Sequence, residues 1–386
     1  MKAIRVVTIV CWVIVAAALL GLAGWFLTGT MFGASSTWMD RNMPFRVNIG
    51  GFESLSGPFN VVGEYSASPA GVNTIQVNWV SGEITVIAHD GDMIEITERA
   101  QRDLRDDERM YVSVSGGTVE IRFLDRRGPN MNMRMPQKRL EVRVPAALSE
   151  DLSILGVGST SGRVNIDGIT ATTLDVGTTS GAVNVSNITS RNVDINALSG
   201  RIAVTYAVAD SMVLDSTSGA VNVSDVNVRE LEIDTLSGSI SVTDSVAVDI
   251  NLDSTSGRIS ATGTFDNIRG NSLSGSINID SAAVSSVVDA RSTSGSVTLR
   301  GALANVNVGT LSGSITIHSA IAPERVNANS TSGRMSITVP NDGYISVNHS
   351  STSGRFNSEI PVLMQGAEPR FTLSTLSGNV NIYQLQ

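Results

Sequence analysis

Twelve Ser-Gly dipeptides step through the carboxy-terminal part of this 386-residue chain, and their spacing constrains its fold more than any other feature. The glycines are Gly162, Gly181, Gly200, Gly219, Gly238, Gly257, Gly275, Gly295, Gly313, Gly333, Gly354 and Gly378, at intervals of 19, 19, 19, 19, 19, 18, 20, 18, 20, 21 and 24 residues. A fixed period of this length marks stacked supersecondary units, none of which can bury its apolar face without neighbours.

The columns around each glycine set the secondary structure. Two residues after it the chain is apolar in all twelve repeats, from Val164 and Val183 to Phe356 and Val380. Four residues after it the chain is apolar in eleven, Ser358 being the exception. Seven residues before, Leu155, Leu174, Val193, Leu231 and Phe371 form a third column. A fourth, five residues before, runs Val157, Val176, Ile195, Leu214, Ile233, Leu252 and later weakens at Gly270, Ala290 and His349. Apolar residues alternating with Asn, Ser, Thr and Asp describe half-buried strands, and nothing has helical period. Ser/Thr-x-Ser-Gly between the strands reads as a structural corner in which glycine adopts a backbone angle closed to other residues. Stacked, these units give an all-β, right-handed parallel β-solenoid.

Two coil sizes fit. The residue before Ser-Gly alternates: Leu198, Thr217, Leu236, Thr255, Leu273, Thr293, Leu311, Thr331. Solenoids stack like on like, so the alternation favours a coil of two repeats, about 38 residues. A one-repeat coil would also set Asp215, Asp234 and Asp253 directly above one another, and like charges at strand spacing repel.

Val6 to Leu27 is an apolar run long enough to span a bilayer as helix, preceded by Lys2 and Arg5. Bulky Met31 and Phe32 disfavour cleavage after it, so an uncleaved signal anchor is expected over residues 1–32. The positive-inside rule places the amino terminus in the cytoplasm and the repeats outside a bacterial cytoplasmic membrane, in single-pass topology. Residues 33–44 read as a linker, 45–150 as a β-rich cap covering the first edge strand, and 151–386 as the repeats. The single cysteine, Cys11, lies in the apolar run, so the exterior has no disulfide.

A formal charge of −9 and the absence of a basic stripe argue against nucleic acid as a partner. Two charged stretches interrupt the cap. Glu98 to Arg109, dense in both signs, reads as a solvated loop. Arg126, Arg127, Arg134, Lys138 and Arg139 form a local basic patch that would meet anionic lipid headgroups or an anionic wall polymer if it is more than a hairpin loop. His89, His318 and His349 are far apart in sequence, and no nucleophile elbow, phosphate loop or metal-ligand spacing is present. No enzyme, cofactor or metal is expected.

Trp79-Val-Ser-Gly-Glu-Ile-Thr-Val86, Ile94-Glu-Ile-Thr-Glu98, Leu140-Glu-Val-Arg-Val-Pro145 and the Ser-Thr-Ser-Gly/Thr-Leu-Ser-Gly ladder resemble a bacterial β-strand-repeat family of unknown function whose members are provisionally labelled adhesins. The resemblance covers about residues 70 to 386. It implies a non-catalytic envelope protein, acting as an adhesin-like or envelope-polymer interaction module. The alternative it leaves open is a component of an envelope-stress complex with a membrane partner.

Overall fold

The computed structural model describes residues 57–124, 135–148, 152–364 and 370–386. The apolar run, the linker and Arg126, Arg127 and Arg134 lie outside the described residues. Among the described residues no helix is long and apolar enough to cross a membrane. Helix is confined there to two short 3-10 turns, Asp106–Glu108 and Ala146–Leu148; the rest is strand and corner, a β-solenoid.

Each repeat is one coil, which overturns the 38-residue reading. Leu174 pairs with Leu155 on one side and Val193 on the other, and Leu231 lies between Met212 and Ile250. The Leu/Thr alternation misled because those residues point outward, so size need not match between neighbouring coils. Asp215, Asp234 and Asp253 do stack directly.

Within a coil the buried positions show its shape. In the Gly200 coil Val183, Val185, Ile188, Ser190, Val193, Ile195 and Ala197 face inward. The two-residue alternation slips by one after Val185 and again after Ser190. Those slips are two bends, and with the Ser-Gly corner they make a three-sided coil. The apolar columns run up its interior, with Leu174, Ile195, Leu214, Ile233 and Leu252 all at most 2 % exposed. Burying such a column along the whole stack is the main source of stability.

The corner motif resolves residue by residue. In nine of the twelve corners the Ser or Thr three places before the glycine is buried and its hydroxyl accepts the glycine N–H, as Ser159 does from Gly162 at 2.8 Å, Ser254 from Gly257 at 2.8 Å and Thr375 from Gly378 at 2.9 Å. The next two residues face outward. The glycine then packs on the carbonyl oxygen of the corner glycine one coil below. None of the twelve has a left-handed φ, so the expectation of an angle closed to other residues is corrected. What excludes a side chain is the close approach of stacked backbone, since a Cβ on Gly238 would overlap the carbonyl of Gly219.

Both ends of the stack are laid out of chain order. The first seven strands are β1 (Asn60–Ala67), β2 (Thr74–Trp79), β3 (Glu83–His89), β4 (Ile94–Ala100), β5 (Tyr111–Ser115), β6 (Thr118–Arg122) and β7 (Lys138–Pro145). β2 and β3 form a coil around Gly82 that stacks on the Gly162 coil. Its other side is covered by β6 and β7, which come later in sequence. Antiparallel strands then close this end, β4 on β7, β1 on β4 and β5 on β6. At the far end the Gly378 coil, last in sequence, sits on the Gly333 coil, and the Gly354 coil stacks on top of it. The residues that broke the repeat pattern, His349 and Ser358, therefore belong to the terminal coil in space. There the His349 ring packs on Phe356 at 4.9 Å and closes the core.

Candidate interaction surface

The outward residue of the corner forms a ridge along the stack. Leu198, Leu273, Leu311 and Leu376 are 40–54 % exposed, and Leu236, between the first two, is half-buried. Threonines stand between them on alternate coils. The true stacking order makes this pattern regular: in sequence the run Leu311, Thr331, Thr352, Leu376 breaks the alternation, but in space it reads Leu311, Thr331, Leu376, Thr352. At about 4.8 Å per coil, an apolar knob recurs about every 10 Å.

A second bend, six residues after each of the first five corner glycines, holds Gly168, Asn187, Tyr206, Asp225 and Asp244, all with φ between 49° and 72°. Glycine, asparagine and aspartate tolerate this left-handed region; a tyrosine does so at a cost. Tyr206 is 61 % exposed, with exposed Val208 beside it.

The outward face of the strand before the corner is acidic. Asp194 lies on the strand Val183–Ala197, Asp215 on Ile202–Ser216, Glu230, Glu232 and Asp234 on Asn227–Thr235, and Asp249 and Asp253 on Ile240–Ser254. Partial burial and then the neighbouring carboxylates Asp253, Asp215 and Glu232 push Asp234 up to about 7. Burial, Asp194 and Glu232 push Asp215 up to about 6. Burial raises Asp194 and Asp253 as well, with Asn196 and Asn271 respectively opposing the rise through hydrogen bonds. Magnitudes explain why the stack tolerates them. Two charges 4 Å apart near a protein surface repel by about 4 kcal/mol. Protonating an aspartate two units above its ordinary pKa costs about 3 kcal/mol.

Of the basic patch, Lys138 and Arg139 lie among the described residues. Lys138 is fully buried and cannot meet an anionic surface. It takes the corner position of the end coil, where its backbone carbonyl lies against Gly82 and its side chain plugs the core. Its Nζ donates to Glu98 Oε1 at 2.6 Å, to the Glu108 carbonyl at 2.7 Å and to the Phe123 carbonyl, and lies 4.0 Å from the Phe123 ring centre. Burial pulls its pKa down to about 8 against the opposing pull of Glu98. Arg139 is half-exposed, paired with Glu83 at 3.6 Å and stacked on Phe59 at 4.2 Å.

The stretch from Glu98 to Arg109 is likewise no loose loop. Glu98 and Glu108 are both buried. Glu98 accepts the Met110 N–H, and Glu108 takes two 2.8 Å bonds from Arg102 and one at 2.9 Å from the Arg105 N–H. A charged segment with two of its carboxylates turned inward reads in sequence like one with all its charges in water.

His89, His318 and His349 stand in three different coils, and among the described residues no three His, Cys, Asp or Glu side chains are arranged to hold a metal ion.

Stacked one-repeat coils with a repeating outer ridge define a β-solenoid repeat protein. Within that class the chain belongs to the Toastrack DUF4097 family, whose model matches residues 72–262 and 228–383. The resemblance seen in the Trp79–Val86 motif and the Ser-Gly ladder is thereby borne out. No curated protein matches the chain. Similar solved structures include a candidate cell adhesion protein from Clostridium sporogenes, with 9 % identity over 85 % of this chain and 100 % of that one at a TM-score of 0.25. Two come from Parabacteroides distasonis. One is a candidate lipid-binding protein with 16 % identity over 86 % of this chain and 98 % of its own, TM-score 0.26. The other is a candidate adhesin with 12 % identity over 86 % and 99 %, TM-score 0.25.

Proposed function

We propose that this protein is a non-catalytic, adhesin-like interaction module that recognises an extended partner, such as an envelope polymer, along its corner ridge. In this reading residues 1–32 anchor it in the bacterial cytoplasmic membrane, with the repeats outside. The observation that carries it is the exposed leucine on alternate coils. Exposed leucines are ordinary singly, but a line of them at constant spacing has no role in the core and suits a partner that is itself long and repetitive.

The test is cross-linking in the producing cells with three chains: the parent, one in which Leu198, Leu273 and Leu311 are changed to Ser, and one whose residues 1–32 are replaced by an unrelated span. The leucine variant should keep its thermal midpoint, since exposed substitutions cost little, and lose the captured target. The exchanged-span chain should capture what the parent does. Capture that survives the leucine changes but vanishes with the exchanged span would move the protein to a membrane complex and refute the ridge.

A further inference from the structure

We infer that Asp215, Asp234 and Asp253, stacked in register on three successive coils, form a proton-binding ladder: near neutral pH they share protons, and carboxyl–carboxylate hydrogen bonds then join coils that charge would otherwise push apart.

The geometry supplies the first half of the argument. Asp215 pairs in register with Asp234 and Asp234 with Asp253, so each carboxyl faces the next across one strand spacing. The charged groups nearest Asp234 are carboxylates. Asp215 and Asp253 face it in register from the strands on either side, and Glu232 stands two residues before it on its own strand. Further along the face are Asp194, in the row of Val213 and Glu232, and Asp249 beside Glu230, which is paired to Arg229 at 3.3 Å. Apart from Arg229, the counter-charges stand at the far edge. Arg269 lies one coil beyond Asp253, and Arg291 is paired to Asp289 at 2.9 Å. At that edge Asn271 donates to Asp253 at 2.8 Å, so Asp253 is the member best held as an anion.

The second half comes from the other end of the column. Asn196, 9 % exposed, stands in register with Asp215. Its amide nitrogen is given to Asp194 at 2.5 Å, which leaves Oδ1 a buried acceptor with no donor. On the same face Asn251 Oδ1 is a second buried acceptor without a donor. Buried acceptors go unpaired only at a cost, and an ionised carboxylate beside them offers nothing. A protonated Asp215 offers the missing O–H. A proton drawn from solvent thus relieves the charge and supplies the donor together. A hard cation fits less well, because no three carboxylates among the described residues converge on one point.

The sign follows from linkage. Asp215, held at about 6, and Asp234, at about 7, keep protons in the fold that the unfolded chain releases near pH 4. Between those limits the folded state binds more protons than the unfolded one, so stability falls as pH rises across the window. The contribution is complete below the unfolded value and gone above the folded ones.

Infrared difference spectra of the full chain between about pH 5 and pH 8 test this, with Asp215→Asn and Asp234→Asn as variants. Asparagine already occupies this column at Asn196, Asn271 and Asn329, so the variants are compatible with the coil. The expected result is a protonated-carboxyl band that persists well above the ordinary aspartate range and weakens in each variant. In parallel, the denaturant midpoint of the parent should fall on going from about pH 5 to pH 8, and that of Asp234→Asn should fall less. A parent whose carboxyls all titrate in the ordinary range, or an Asp234→Asn chain that keeps the whole pH dependence, would overturn the ladder.

Discussion

At Gly238 a methyl group has nowhere to go. Because φ is ordinary there, residues that tolerate left-handed backbone gain nothing over alanine. Gly238→Ala and Gly238→Asn should each cost about 3 kcal/mol or more, as overpacking against fixed backbone does, read as a shift in the urea midpoint. Rescue by asparagine alone would mean that backbone angle, not space, selects glycine. The hydroxyl beside the corner gives a gentler probe. The Gly200 coil carries Ala197 where its neighbours have Ser or Thr, so its Gly200 N–H lacks the side-chain acceptor found at Ser216 or Ser254. Ala197→Ser should gain about 1 kcal/mol, and Ser254→Ala should lose between about 1 and 3. Equal midpoints for Ala197→Ser and the parent would remove the hydroxyl from the corner's energetics. Sequence made the corner plain, because a residue needed in every coil is repeated in every coil. It did not give the reason for glycine, since a left-handed angle and a tight backbone contact select the same letter.

Among the strands that close the amino-terminal end, β4 and β7 are joined by a buried ion pair as well as by their backbone ladder. Lys138 on β7 and Glu98 on β4 are both fully buried, and each is further bonded to backbone. Removing one partner strands the other, so Lys138→Met should cost about 3–5 kcal/mol, while Lys138→Met with Glu98→Met should recover much of it. A double variant no more stable than the single one would show that the pair does more than cancel its own charges. This element was legible only in outline. The sequence marked residues 45–150 as a β-rich cap, but no local pattern says that Lys138 turns inward while Arg139 beside it turns out. The cue existed in composition: it is the only lysine after Lys2, in a chain that uses arginine everywhere else. Lysine, unlike arginine, fits a compact site lined by carbonyl oxygens and an aromatic face.

On the scale of the molecule, acid and base act on opposite features. Glu108, pulled down to about 2 chiefly by its hydrogen bonds with Arg102, contributes stability present above the usual glutamate value and lost as pH falls toward 2. The aspartate ladder contributes stability lost as pH rises toward 7. Maximum stability is expected between them, near pH 5, in denaturant midpoints taken across that range. The reversed order at the far end makes a second prediction. In a serial solenoid, cutting residues 365–386 would remove one end coil and leave the rest intact. Here the cut removes the coil between Gly333 and Gly354, so strands Ile345–Ser351 and Phe356–Ser358 should lose hydrogen-exchange protection although their own residues remain. Retained protection would mean that the Gly354 coil can settle directly on the Gly333 coil. The broken Leu/Thr alternation was the trace of this order in the sequence, invisible until one knew that each repeat was a coil. A chain delivered amino end first can lay down the coils from Gly162 to Gly333 as they emerge, but the next stretch has nothing to stand on until Phe371–Thr375 and Val380–Gln384 arrive behind it. A polypeptide cut short before Phe371 would therefore present the Gly333 coil as a naked strand edge, a mark by which truncated copies differ from full-length ones and a place where they would stick to each other.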